Sequence, residues 1–201
     1  HVPGAGAGWS AKRSFDACAE HGIGGIVFWR PALQGRASAI GQHARQAGVK
    51  VVGLCRSPFL VGPLAPQGRQ GVVDDFRRSI DETAELEGEI LTIVVGGVEP
   101  GTKGVRESLG IVTDRLSAVL DYAADRGVKL ALEPLHPLYG GDRPCLPTVR
   151  DALDICDVLN SEPLPVAVDG YHVWWATDPT PHLDPAGYLL SRVAPCYRPS
   201  P

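Results

Sequence analysis

The chain has 201 residues, 44% hydrophobic and 21% charged, an ordinary globular composition long enough to bury a real core in one domain. Its net charge of −4 gives no broad pull toward nucleic acid or an acidic membrane. No apolar run approaches the roughly 20 residues that span a bilayer, and no signal-peptide pattern opens the chain.

In chain order, Ser10 reads as the N-cap of a helix carrying Phe15, Cys18 and Ala19, which Gly22 ends. The apolar run GGIVFW (24–29) follows as a strand. Pro31 suits the first turn of a second helix, with Leu33, Ala37, Ile40 and Ala44 on one face and Gly48 closing it. VKVVGLC (49–55) is the second strand. A third helix carries Val73, Phe76, Ile80 and Ala84, with Asp74 and Asp75 near its positive N-terminal end. ILTIVVGG (90–97) is a third strand, and Leu109, Val112, Leu116, Val119 and Ala123 mark a fourth helix that Gly127 stops. After the strand VKLALEPL (128–135), Thr148 and Asp151 resemble a capping box for a fifth helix, which buries Val149, Leu153 and Cys156. LPVAVDGYH (164–172) is the fifth strand. Beyond Trp175 the rhythm breaks into a loop-like segment, a short apolar stretch GYLLSRVA and an irregular Pro-rich end.

Strands rich in Val, Ile and Leu without strict alternation are buried on both faces, and their alternation with helices makes a parallel sheet wrapped by helices. An open doubly wound sheet and a closed barrel both satisfy this order. No GxGxxG follows any strand, which removes the dinucleotide-binding version of the first. Arg30, Arg56, Glu133 and Asp169 all stand at C-terminal strand ends, the rim on which (β/α)8 barrels place their chemistry. The five cysteines (Cys18, Cys55, Cys145, Cys156, Cys196) are scattered without a CxxC pair, as expected of reduced thiols in a cytosolic protein. The chain holds 24 glycines and 18 prolines but no methionine, which suggests a start that was trimmed or not included.

Glu133 ends KLALE before Pro134, so its carboxylate should project from the rim; Asp169 ends PVAVD in the same way, with His172 three residues on. Two carboxylates and an imidazole at adjacent strand ends suit Mn²⁺, Mg²⁺, Co²⁺ or Zn²⁺, and one carboxylate could then move a proton on a carbon beside a carbonyl. A strand-end acid taken alone more often caps the next helix or pairs with an arginine; it is the combination that points to a site. His136 lies in the loop past Glu133. Arg56 and Arg143 suit an anionic or polyhydroxyl substrate or, equally, structural ion pairs. Trp29, Trp174 and Trp175 could wall a sugar's C–H face or simply pack. Gly96 and Gly97 allow close backbone approach. His1, His21, His43 and His182 have no partner pattern.

LALEPLHP and VAVDGYHVWW, with VVGLCR and the VVGG strand end before them, resemble the xylose isomerase-like TIM-barrel superfamily, which includes sugar phosphate isomerases/epimerases. The resemblance runs from about residue 10 to 178, leaving 179–201 as an irregular tail of a single, incomplete domain. It implies an α/β fold, a (β/α)8 TIM barrel of which about five of eight strands are evident here. By the same resemblance Glu133 is a metal ligand and acid/base carboxylate, Asp169 a second ligand and His172 a contact to substrate oxygens. The cofactor implied is a divalent metal ion, the substrate a small sugar, sugar phosphate or related hydroxycarbonyl compound, and the chemistry enediolate proton transfer in the cytoplasm. No nucleic acid or membrane partner is expected, and self-association is left open. Members continue into a seventh strand that supplies a His ligand and an eighth that supplies a Glu; neither is found in 177–201, and a first strand is expected before His1. The chain by itself is therefore expected to bind metal weakly and turn over no sugar. A non-catalytic barrel remnant is the alternative, with an inosose-type dehydratase and an endonuclease-IV-like nuclease behind it.

Overall fold

The structure is a computed structural model that describes residues 9–139, 145–161 and 164–175, together with the backbone of 189–190. Helix α1 (Ala11–Glu20) leads into β1 (Gly25–Trp29), α2 (Ala37–Gln46), β2 (Lys50–Cys55), α3 (Gly68–Glu85) and β3 (Ile90–Ile93). Two helices, α4 (Val105–Ser117) and α5 (Leu120–Asp125), precede β4 (Lys129–Leu132); α6 (Val149–Leu159), β5 (Val166–Ala167), the one-turn α7 (Gly170–Val173) and β6 (Leu189–Leu190) follow. Short 3₁₀ turns stand at Arg30–Ala32 and Pro137–Tyr139.

The six strands are all parallel and lie in the order β1-β2-β3-β4-β5-β6. This order separates the two architectures. A doubly wound sheet reverses its strand order at a switch point, whereas a barrel adds each strand beside the last. The chain does the second. Helical faces at 3.6-residue spacing cover the sheet: Phe15 of α1 stacks on Phe28 of β1 with centroids 6.0 Å apart, and Val73, Phe76 and Ile80 of α3 are buried. Full burial of a side chain such as Phe76 contributes about 1.5–3 kcal/mol.

Five local expectations change. Of the run 164–172 only Val166–Ala167 is strand; Asp169 caps a helical turn, so Gly170–Val173 is the one-turn helix α7. The second helix is two pieces: Pro31 belongs to the 3₁₀ turn, and Gln34 and Gly35 adopt positive φ before α2 begins at Ala37. The third helix starts at Gly68, six residues before Asp74, so no acid occupies its first turn; Asp74 instead accepts a bond from Gln70, and Asp75 pairs with Arg30. The fourth helix breaks at Ala118–Val119, where Val119 leaves helical geometry at φ −124°. Finally, a sixth strand, β6, pairs Val166 with Leu189 and Ala167 with Leu190. It is only two residues long, too short for any periodicity to betray it.

The capping predictions stand. Ser10 accepts a hydrogen bond from the Arg13 amide, and Thr148 and Asp151 bond each other reciprocally at the start of α6. Cys18, Cys55, Cys145 and Cys156 are free thiols; Cys196 lies outside the described residues. No helix among the described residues is long and apolar enough to cross a membrane.

Candidate metal and substrate site

Strand β4 aims Glu133. Leu132 pairs with Ile93 of β3, and the Glu133 amide donates to the Ile93 carbonyl at 2.9 Å, carrying the ladder one residue past the strand. Pro134 has no N–H to offer and ends it there. On the other side Leu132 pairs with Val166, which brings the end of β5 level with the end of β4. Asp169, extended at φ −96° and ψ 120°, caps α7 by accepting from the Tyr171 amide through Oδ1 at 2.8 Å. The helix-capping role weighed for a strand-end acid is therefore real here, yet it uses one oxygen only. The other makes no hydrogen bond to any described residue.

Helix α7 carries His172 back over the same mouth. One donor atom each of Glu133, Asp169 and His172 lie within 4.8 Å of one another. Neither carboxylate is paired with an arginine among the described residues. The Glu133 carboxyl has no hydrogen-bond partner there either; burial, and after it the negative charge of Asp169, push it up to about 7. Two converging, partly buried carboxylates without a described counter-cation are costly as they stand, and an oxygen-seeking divalent cation is what their chemistry fits.

The His172 ring is oriented by its neighbour. Its Nδ1 accepts the His136 amide at 3.2 Å, which leaves the proton of a neutral ring on Nε2. Burial lowers the His172 pKa, with the nearby Asp169 only opposing the shift, so the neutral form is favoured. A ring in that state donates through Nε2 rather than offering it a lone pair. The Cys55 thiol at the end of β2 is held up to about 12 by burial and then by Glu133, so it stays protonated.

His136 accepts the Leu138 amide at Nδ1, stacks on Trp174 at 5.9 Å and meets Trp175 edge-on at 6.0 Å. Trp174 is 72% exposed, and the Trp175 indole donates to the His172 carbonyl. Arg56 follows β2 directly, next to Cys55. Its guanidinium sits 3.9 Å over the Phe59 ring and donates to the Ser57 carbonyl. It lines a cleft of about 590 Å³ with Arg30, Asp75 and Glu82, and Glu133, Asp169 and His172 are not in that lining. Arg30 is held by Asp75 at 2.9 Å and Glu82 at 2.5 Å, a structural pairing. Trp29 ends β1 opposite Cys55. Arg143, His1 and His182 lie outside the described residues.

Two features escaped the sequence. Tyr139 and Tyr171 set their rings edge-on to His172 at 5.8 and 5.1 Å, with their hydroxyls 3.3 Å apart. They neighbour the EPLHP and DGYH motifs, but no spacing rule pairs residues 32 apart. Arg115, on the outer helix α4, donates to Glu99 at 2.9 Å and to the Leu60 carbonyl. Glu99 in turn accepts the Gly62 amide at 2.7 Å, pinning the loop after β2.

Comparison with known proteins bears on the fold and the family. Protein SMc04130 of Sinorhizobium meliloti is 39% identical, with a TM-score of 0.80 over 87% of this chain and 63% of its own. The 3-keto-D-glucoside 4-epimerase YcjR of E. coli is 18% identical (TM-score 0.70, 84% of this chain, 66% of its own). D-psicose 3-epimerase from Clostridium cellulolyticum H10 is 14% identical (TM-score 0.72, 85% and 61%). At those identities the two epimerases share the fold, and the chain spans less than two thirds of each of the three structures. No curated protein matches. Residues 15–193 match the family described as xylose isomerase-like TIM barrel. With its strands in barrel order and its carboxylates at the rim, the chain belongs to the xylose isomerase-like TIM barrel family.

Proposed function

We propose that the protein is a divalent-metal-dependent isomerase or epimerase acting on a small sugar, sugar phosphate or related hydroxycarbonyl compound. The observation that carries this reading is the convergence of Glu133, Asp169 and His172 within 4.8 Å. The likeness in fold to two sugar epimerases supports it.

Glu133 and the open oxygen of Asp169 would hold the cation, whose identity among Mn²⁺, Mg²⁺, Co²⁺ and Zn²⁺ is left to measurement. When bound, it supplies a positive charge that favours the negative oxygen of an enediolate. The remaining work belongs to side chains. The Glu133 carboxylate removes the proton from the carbon bearing a hydroxyl next to the carbonyl. That C–H electron pair becomes the C=C bond of the enediolate, and the carbonyl oxygen takes the negative charge. His172 donates from Nε2 to a substrate oxygen, its ring oriented by the bond from the His136 amide. Return of the C–H proton by Glu133 to the neighbouring carbon, with the hydroxyl proton passing between the two oxygens, gives an aldose–ketose isomer. An epimer takes instead a proton from water or an acid on the opposite face of the same carbon, while the abstracted proton leaves Glu133 to solvent. Trp174, His136, Arg56 and Arg143 are assigned to substrate binding, the first two as a stacked surface beside His172.

The test is a panel of ketoses and aldoses, with and without a phosphate, incubated in D₂O with full-length protein and each metal. A product carrying one deuterium at the reacting carbon is expected, and Glu133→Gln should lower its rate at least about 10²-fold. Neither product nor deuterium with any sugar and metal would rule the reading out.

A further inference from the structure

Helix α7 has four residues, far too few to hold itself together in water. It nevertheless carries His172, so something outside it must supply the order. Two side chains cap it. Asp169 accepts the Tyr171 amide at the N-terminal end, and Trp175 donates its indole N–H to the His172 carbonyl at 2.8 Å. The Trp175 ring also meets the His136 ring edge-on at 6.0 Å, and the His136 amide is the donor that fixes the His172 ring at 3.2 Å. The contacts form a closed circuit: Trp175 to the His172 backbone, Trp175 to the His136 ring, and the His136 backbone to the His172 ring.

We propose that Trp175 is a positioning residue: through its bond to the His172 carbonyl and its contact with His136 it holds the His172 imidazole with Nδ1 toward the His136 amide and Nε2 toward the site. The proposal rests on the functional reading only for the use to which Nε2 is put; every contact of the clamp is between residues of this chain. Trp174, next in the chain, is 72% exposed and bonds nothing through its indole among the described residues, so it provides an internal reference.

The experiment is amide and indole hydrogen exchange, followed by NMR on the full chain in metal-free buffer. In the wild type the Trp175 indole proton should exchange at least about tenfold more slowly than that of Trp174, as befits a proton held in a hydrogen bond. Trp175→Phe keeps a ring against His136 but removes the donor. In that variant protection of the His136 amide should fall about tenfold. The Glu133 amide, bonded to Ile93, should stay as it was. In the same variant the ¹⁵N resonance of His172 Nδ1 should move from that of a single bonded acceptor toward a rotating, averaged ring, a change that a general loss of stability would not produce. Equal loss of protection at His136 and Glu133, or an unmoved His172 resonance, would overturn the proposal. Should Trp175→Phe fail to fold, the wild-type comparison decides it: equal exchange at Trp174 and Trp175 also overturns it. None of these readouts needs turnover, so they can succeed while the proposed enzymatic function fails, and the reverse.

Discussion

At the scale of single residues, the site rests on how two carboxyl groups divide their oxygens. Asp169 caps a helix with Oδ1 and keeps its second oxygen for another partner. Replacement by Asn keeps a competent N-cap while removing the charge, whereas Ala removes both. Asp169→Asn should therefore leave the melting temperature nearly unchanged and abolish metal binding. Asp169→Ala should do the same to the metal and also cost about 1 kcal/mol of stability, measurable by thermal unfolding. Glu133 titrates in a direction of its own. Its folded-state pKa, about 7, lies above the value of an unfolded carboxyl. Between the two values the folded state holds more protons, so stability falls as pH rises through that window. Metal-free protein should be less stable at pH 8 than at pH 5 by about 1–2 kcal/mol from this group, discounted for its partial exposure. Glu133→Gln should flatten that slope in a pH series of melts.

At the scale of elements, the first five strands were legible because each lies in a compact apolar run bounded by turn residues, and both rim carboxylates were legible because they end such runs. The paired caps at Ser10 and Thr148 were legible for the same reason: their chemistry is local. What stayed hidden is set by distance along the chain or by brevity. Arg115 reaches Leu60 across 55 positions, and Tyr139 reaches Tyr171 across 32. The break in the expected second helix, ahead of α2, goes with positive φ at Gln34, which no pattern announces. The suspicion of close approach at Gly96 proved sound. Gly96 adopts φ +100°, bridges to Val61, and a Cβ there would lie 2.0 Å from the Val61 carbonyl oxygen. Gly96→Ala should accordingly destabilise by about 2 kcal/mol or more, through strain and a forced shift of the loop after β2. A loss under about 0.5 kcal/mol in denaturant unfolding would show that the loop yields freely.

At the scale of the molecule, strand order decided what composition could not. Alternating helices and buried strands fit two architectures, and only sequential parallel pairing from β1 to β6 selects the barrel. That arrangement places every strand's C-terminal end at one mouth, which is why residues 36 apart in sequence, Glu133 and Asp169, become neighbours. The juxtaposition of Glu133, Asp169 and His172 is thus a property of the fold; its use as a metal and substrate site is what we propose. Arg30 shows the limit of rim logic: it occupies the same kind of position as Glu133 but is consumed by Asp75 and Glu82.

The most direct test is a calorimetric titration of Mn²⁺ into the wild-type chain and into Glu133→Gln. With two carboxylates as protein ligands, one weak site is expected in the wild type, with a Kd of about 10–1000 μM, and none in the variant. Equal binding by the two proteins, or none by the wild type at millimolar Mn²⁺, would contradict a shared cation at Glu133 and Asp169.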